Sequence, residues 1–106
     1  MLQLTSRNFA SETNSSLPVI VMFYATWCGK CAMMRPVFED LEKKYRKKIK
    51  FFLVETEESP ELSSTYEVDI VPTFIFFESG QPVAYMQGVI GFSQLEQRII
   101  KSFRIH

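Results

Sequence analysis

Cys28 and Cys31 are the residues of this chain best suited to chemistry. Only Gly29 and Lys30 separate them, and no third cysteine exists for either to pair with. A loop that short restrains little of the unfolded chain, so a bond between the two is no staple. A disulfide scaffold needs more cysteines, spread along the sequence. The pair therefore serves redox chemistry or a metal. Zinc usually takes four ligands. The sole histidine is His106 and there is no second cysteine pair, so a metal site requires two chains to share the ion.

What the pair can do depends on the elements that hold it. The run Val19 to Ala25 is continuously apolar and rich in β-branched residues, as expected of a parallel strand buried on both faces. Downstream, Met34, Val37, Phe38, Leu41 and Tyr45 recur at helical spacing, with Glu39, Asp40, Glu42, Lys43, Lys44 and Lys47 on the opposite face. Pro36 removes one backbone bond from this helix and kinks it without ending it. Trp27 to Cys31 thus lies where a buried strand gives way to a helix N-terminus. Free N–H groups and a partial positive charge there stabilise a thiolate and lower its pKa. Cys28, at the tip of the turn, is the exposed attacking thiol. Cys31, one turn in, is the shielded thiol that resolves the mixed disulfide.

The remaining elements fit one domain over residues 1–106. That length is near the commonest domain size and long enough for a single core. Leu2 to Leu4 reads as a short strand. Ser6 caps a helix carrying Phe9 and Ala10, which ends near Asn14-Ser15-Ser16. Ile49 to Val54 is a further strand, and Ser59-Pro60-Glu61 opens a short helix running to about Tyr66. Thr73 to Phe77 and Pro82 to Gln87 form a hairpin about Glu78 to Gln81, the second strand at an edge because proline starts it. A last helix spans Phe92 to Phe103, with Ser93 to Glu96 as a capping box. The order βαβαβαββα predicts an α/β fold with a central mixed sheet of about five strands and helices on both faces.

Twelve Lys and Arg balance twelve Asp and Glu, which leaves no overall electrostatic footprint for nucleic acid. Lys43, Lys44, Arg46, Lys47, Lys48 and Lys50 cluster at the end of the long helix, where the helix dipole already favours basic charge. Glu55, Glu57, Glu58 and Glu61 read as a solvated acidic loop. The longest apolar stretch, Leu17 to Ala25, is about half a membrane span. No basic segment leads into an apolar one at the N-terminus, so no secretory signal is expected and the reading is cytoplasmic.

The stretch Phe23-Tyr24-Ala25-Thr26-Trp27-Cys28-Gly29-Lys30-Cys31 resembles the active-site segment of the thioredoxin family. Pro36 matches that family's helix-kinking proline, Val71-Pro72-Thr73-Phe74 its cis-proline loop, and Gly88 the glycine ending its last strand. The resemblance covers essentially the whole chain. It implies a cis bond between Val71 and Pro72 beside the cysteine loop, and a contact surface lined by Trp27, Val71, Pro72, Gly88, Val89 and Ile90. An extended substrate segment would pair there as an added strand. It also implies reduction of protein disulfides by a monomer with no bound cofactor beyond the Cys28–Cys31 disulfide, recharged by thioredoxin reductase, a flavoprotein using NADPH. A non-catalytic or redox-gated binding module using the Trp27/Pro72 surface is the alternative.

Two positions depart from the family. Lys30 stands where proline is commonest. At ~6 Å and an effective dielectric between 80 and 20, its charge attracts a Cys28 thiolate by roughly 0.7–2.8 kcal/mol. That corresponds to a pKa lower by about half a unit to two units and a less reducing couple. Met22 stands where many thioredoxins carry a buried acid thought to move protons to and from the second cysteine. Glu55, at the end of the third strand, is the candidate replacement, expected to be too exposed for the task. Met33 and Met34 follow the loop, and Met34 fits the core stripe.

Overall fold

In the computed structural model, which describes residues 1–105, the elements follow the expected order. They are β1 (Leu2–Gln3), α1 (Phe9–Thr13), β2 (Val19–Tyr24), α2 (Gly29–Tyr45), β3 (Lys50–Glu55), α3 (Pro60–Thr65), β4 (Thr73–Glu78), β5 (Gln81–Gln87) and α4 (Phe92–Phe103). The five strands form one sheet in the order β1-β3-β2-β4-β5. β1, β3 and β2 are parallel; β4 runs antiparallel to β2, and β5 antiparallel to β4, which returns it to the direction of the first three.

β2 is buried from Val19 to Phe23 because alternate side chains enter different cores. Ile20 and Met22 join Met34, Phe38, Leu41 and Tyr45 of α2 and Leu95, Ile99 and Phe103 of α4. Val19, Val21 and Phe23 pack on the other face with Phe9 of α1 and Leu62 of α3. The two helices of the first layer are also joined by charge. Glu96 of α4 accepts the Tyr45 hydroxyl at 2.6 Å and pairs with the Lys44 ammonium.

Beyond one-residue shifts at β1, β3 and α3, three sites differ from the sequence expectation for local reasons. α1 begins after Asn8 rather than Ser6, because the Asn8 side chain turns back to accept the Thr5 N–H at 2.8 Å and tightens the entry turn. α4 is capped by Gly91 rather than Ser93; the Gly91 N–H donates to the Gln94 side chain at 3.4 Å, and Glu96 is taken by Tyr45 and Lys44. The hairpin pairs out to Glu78 and Gln81, with Ser79 and Gly80 both at positive φ (50° and 80°), the geometry of a tight type I′ turn.

The register also gathers the loops. Tyr24 lies opposite Glu55, Phe23 opposite Thr73, and Thr73 opposite Gln87. The segments that follow β2 and β3, precede β4 and follow β5 therefore all emerge at one end of the sheet. Residues 25–28, 56–59, 69–72 and 88–91 lie there, while α3 packs along the sheet face between the second and third of these.

Candidate active site

The cysteines sit at that end, at the start of α2. Cys28 is the helix N-cap, with extended backbone (φ −94°, ψ 113°), and its sulfur accepts the Cys31 N–H at 3.2 Å. An N-cap acceptor meets one of the helix's orphan donors; here the acceptor is sulfur. Cys28 is partly exposed and Cys31 is buried at 4% exposure, and both thiols are free.

Their titrations diverge. Burial opposes charge on Cys28. Hydrogen bonds from the Cys31 thiol and from the Cys31 and Lys30 amides, with the Lys30 charge the least of these, together hold the Cys28 thiol below its ordinary range. Lys30 therefore acts in the expected direction, but the helix N-terminus does more. Burial, and then the hydrogen bond to and charge of Cys28, push the Cys31 thiol up to about 11.

The Val71–Pro72 bond is cis. The Val71 carbonyl lies 3.8 Å from the Cys28 sulfur. The neighbouring strand holds this turn in place: the Gly88 N–H donates to the Pro72 carbonyl at 2.9 Å, from a backbone at φ 85° that favours glycine. Pro72 itself is buried, and Val71 and Gly88 are partly exposed. Trp27 is 73% exposed, and its indole N–H donates to Glu57 at 2.5 Å. Val89 is exposed as well. Ile90 corrects the expected contact surface: it is 7% exposed and packs in the α2/α4 core, its N–H donating to the buried Met34 sulfur at 3.2 Å. Adjacent apolar residues in extended chain point opposite ways, so Val89 faces out as Ile90 faces in. Ile70 joins the exposed set, a residue the sequence reading missed; an isolated isoleucine two positions before Pro72 in an acidic loop was its only signal.

Met22 is buried among apolar side chains, so no acid occupies its place. Glu55 was expected to be exposed; the structure buries it to 3%. Its carboxylate is stabilised by the Glu58 N–H at 2.6 Å, closing the turn after β3, which is what allows an acid to end a buried strand. A cleft of about 400 Å³ lined by Tyr24, Ala25, Thr26, Arg35 and both cysteines opens the dithiol to solvent on the other side. Among the described residues no group of three or more His, Cys, Asp and Glu could hold a metal ion, and His106 lies outside them. No helix of the described residues is long and apolar enough to cross a membrane.

An acidified, accessible thiol capping a helix, with a second thiol one turn below, defines a thiol–disulfide oxidoreductase. The sequence profile of the thioredoxin family matches residues 1–101. A thioredoxin-like protein of Synechocystis is 40% identical over 93 residues, which cover 87% of this chain and 89% of that protein. Thioredoxin 1 of Nostoc is 37% identical over 100 residues, 93% of this chain and 94% of that one. Chloroplastic thioredoxin Y1 of Arabidopsis thaliana is 37% identical over 92 residues, covering 87% of this chain and only 54% of its own length. The chain spans about half of that plant relative. This chain belongs to the thioredoxin family.

Proposed function

We propose that this single-domain chain reduces disulfide bonds in other proteins. The Cys28 thiolate attacks one sulfur of a substrate disulfide, forming a mixed disulfide and releasing the first substrate sulfur, which takes up a proton. Cys31 gives up its proton and attacks the Cys28 sulfur. The mixed bond breaks, the second substrate thiol leaves, and a Cys28–Cys31 disulfide remains. Two electrons and two protons pass to the substrate.

The observation that carries this reading is the opposition of the two thiols, Cys28 held low and Cys31 pushed up to about 11. Cys28 therefore ionises before Cys31, and the order of attack follows from that difference. Trp27, Val71, Gly88 and Val89 receive the substrate chain, with Ile70 extending the apolar surface. Pro72 presents the Val71 carbonyl, Gly29 keeps the turn open, and Lys30 adds a small attraction for the thiolate. Ile90 contributes through its backbone and buried anchor. A thioredoxin reductase, a flavoprotein using NADPH, returns the disulfide to the dithiol. The chain works as a monomer with no bound cofactor, in a reducing cytoplasmic compartment, on protein partners rather than nucleic acid or membrane.

Insulin turbidity in the presence of dithiothreitol tests the proposal. Wild-type protein accelerates precipitation, and the Cys28→Ser variant does not. Precipitation no faster than with dithiothreitol alone would overturn the reading in favour of a binding module that uses the same surface.

A further inference from the structure

The chain has no net charge, yet its charge is divided between the two ends of the sheet. Residues 56–61 and 69–72, which border the dithiol end of the sheet, contain Glu57, Glu58, Glu61 and Asp69, all exposed, and no Lys or Arg. Among residues 25–31 and 88–91 the only charge is Lys30. At the opposite end, residues 43–50 contain six Lys and Arg and no acid. The 17-residue helix α2 separates the two poles by roughly 25 Å at 1.5 Å per residue. The Debye length at physiological salt is about 8 Å, so the basic pole does not cancel the acidic field at the thiols.

One of these acids is tied to the reactive surface. Glu57 accepts the indole N–H of Trp27, the residue directly before Cys28. Asp69 adjoins Ile70, which with Trp27 and Val89 forms the exposed apolar surface around the Val71 carbonyl. The cations near the thiols are Lys30 and Arg35, and Glu39 pairs with Arg35, so carboxylates outnumber them around the apolar centre and favour a partner of the opposite sign.

We infer that this site prefers disulfides in cationic protein segments, with Glu57, Glu58, Glu61 and Asp69 setting the preference. The inference rests on the proposed protein-disulfide reduction and names its substrate class. The dithiol is the reactive site, and the acids govern which substrates reach it. Steering of this kind acts on association, so it appears in kcat/KM and fades with salt.

The test uses two synthetic peptides with the same disulfide, one flanked by lysines and one by glutamates, together with neutral hydroxyethyl disulfide. At low ionic strength the lysine peptide is expected to be reduced about tenfold faster in kcat/KM, with the preference shrinking to about twofold in ~0.5 M salt. The combined Glu58→Lys, Glu61→Lys, Asp69→Lys variant should reverse the preference and leave the neutral disulfide unaffected. Equal rates for both peptides with wild-type protein at low salt would overturn the inference, as would a preference that salt does not reduce. Failure to reduce even the neutral disulfide would instead strike the proposed activity. The wild-type salt series stands whether or not the triple variant folds.

Discussion

The Cys31 thiol is held near 11 partly by the neighbour it attacks, and that makes its acidity change during the reaction. Burial is the largest cause, followed by the hydrogen bond to Cys28 and the charge of Cys28. When Cys28 is bonded to a substrate sulfur, its charge is gone and its sulfur is a poor acceptor, so burial alone is left to oppose ionisation. The Cys28→Ser variant reproduces this loss of charge. In wild-type protein at pH 8, a thiol titrating at about 11 is thiolate in about one molecule in a thousand. In Cys28→Ser, the Cys31 pKa should fall by about a unit, staying above the ordinary cysteine value because burial persists, and alkylation at pH 8 should rise about tenfold. The assay is iodoacetamide labelling across a pH series, with each cysteine quantified by mass spectrometry. Wild-type Cys28 should titrate below 9.0, the ordinary value, and Cys31 about two units above it. A Cys31 midpoint unchanged or raised in Cys28→Ser would refute the argument. So would a wild-type Cys28 that titrates no lower than a free cysteine.

Three further outcomes follow from the site. Lys30→Pro should make the couple more reducing, by no more than tens of millivolts in glutathione equilibration, since the Lys30 charge is the smallest of the influences lowering Cys28; a less reducing variant would contradict this. Met22→Asp should hasten resolution of a mixed disulfide in stopped-flow by supplying an acid where the core has none, at a stability cost of about 1–3 kcal/mol for a buried carboxyl. An unchanged resolution rate would count against any need for that proton route. Met34→Leu keeps the volume but removes the acceptor of the Ile90 N–H, so exchange of that amide should speed up about tenfold or more in hydrogen-exchange NMR, while the Cys28 titration stays in place.

Much of this arrangement was readable before any coordinates. Continuous burial of β2 followed from its unbroken apolar run, and placement of the cysteines at a helix start followed from the stripe that begins at Met34. Both are periodic signals spread over many residues. What escaped reading turned on single polar contacts. Glu55 looked like the first residue of a solvated loop; only the position of the Glu58 amide makes its burial tolerable. Ser6 and Ser93 are as good caps by type as Asn8 and Gly91, and the choice was made by where Thr5 and Gln94 lie. Val89 and Ile90 are equivalent in pattern. Which of them turns inward was decided by the Met34 sulfur, on a helix far away in sequence. The partition of charge between the two ends required strand register, because composition alone reports a neutral chain.

Because sulfur closes the first turn of α2, the protein's longest helix is reset with every catalytic cycle. A sulfur engaged in a covalent bond surrenders the negative charge that the Cys31 amide was facing. Oxidation is therefore expected to loosen the end of the helix that the free sulfur caps. The same linkage reaches into folding. A thiol acidified in the folded state strengthens the reduced protein as pH climbs through the Cys28 titration toward 9.0, and that gain is lost as pH falls back. Cys31 works the other way, weakening the fold between 9.0 and about 11, where the unfolded chain ionises first. The dithiol therefore gives the reduced form an optimum on the alkaline side of neutrality, which the disulfide form, with no thiol to titrate, does not share.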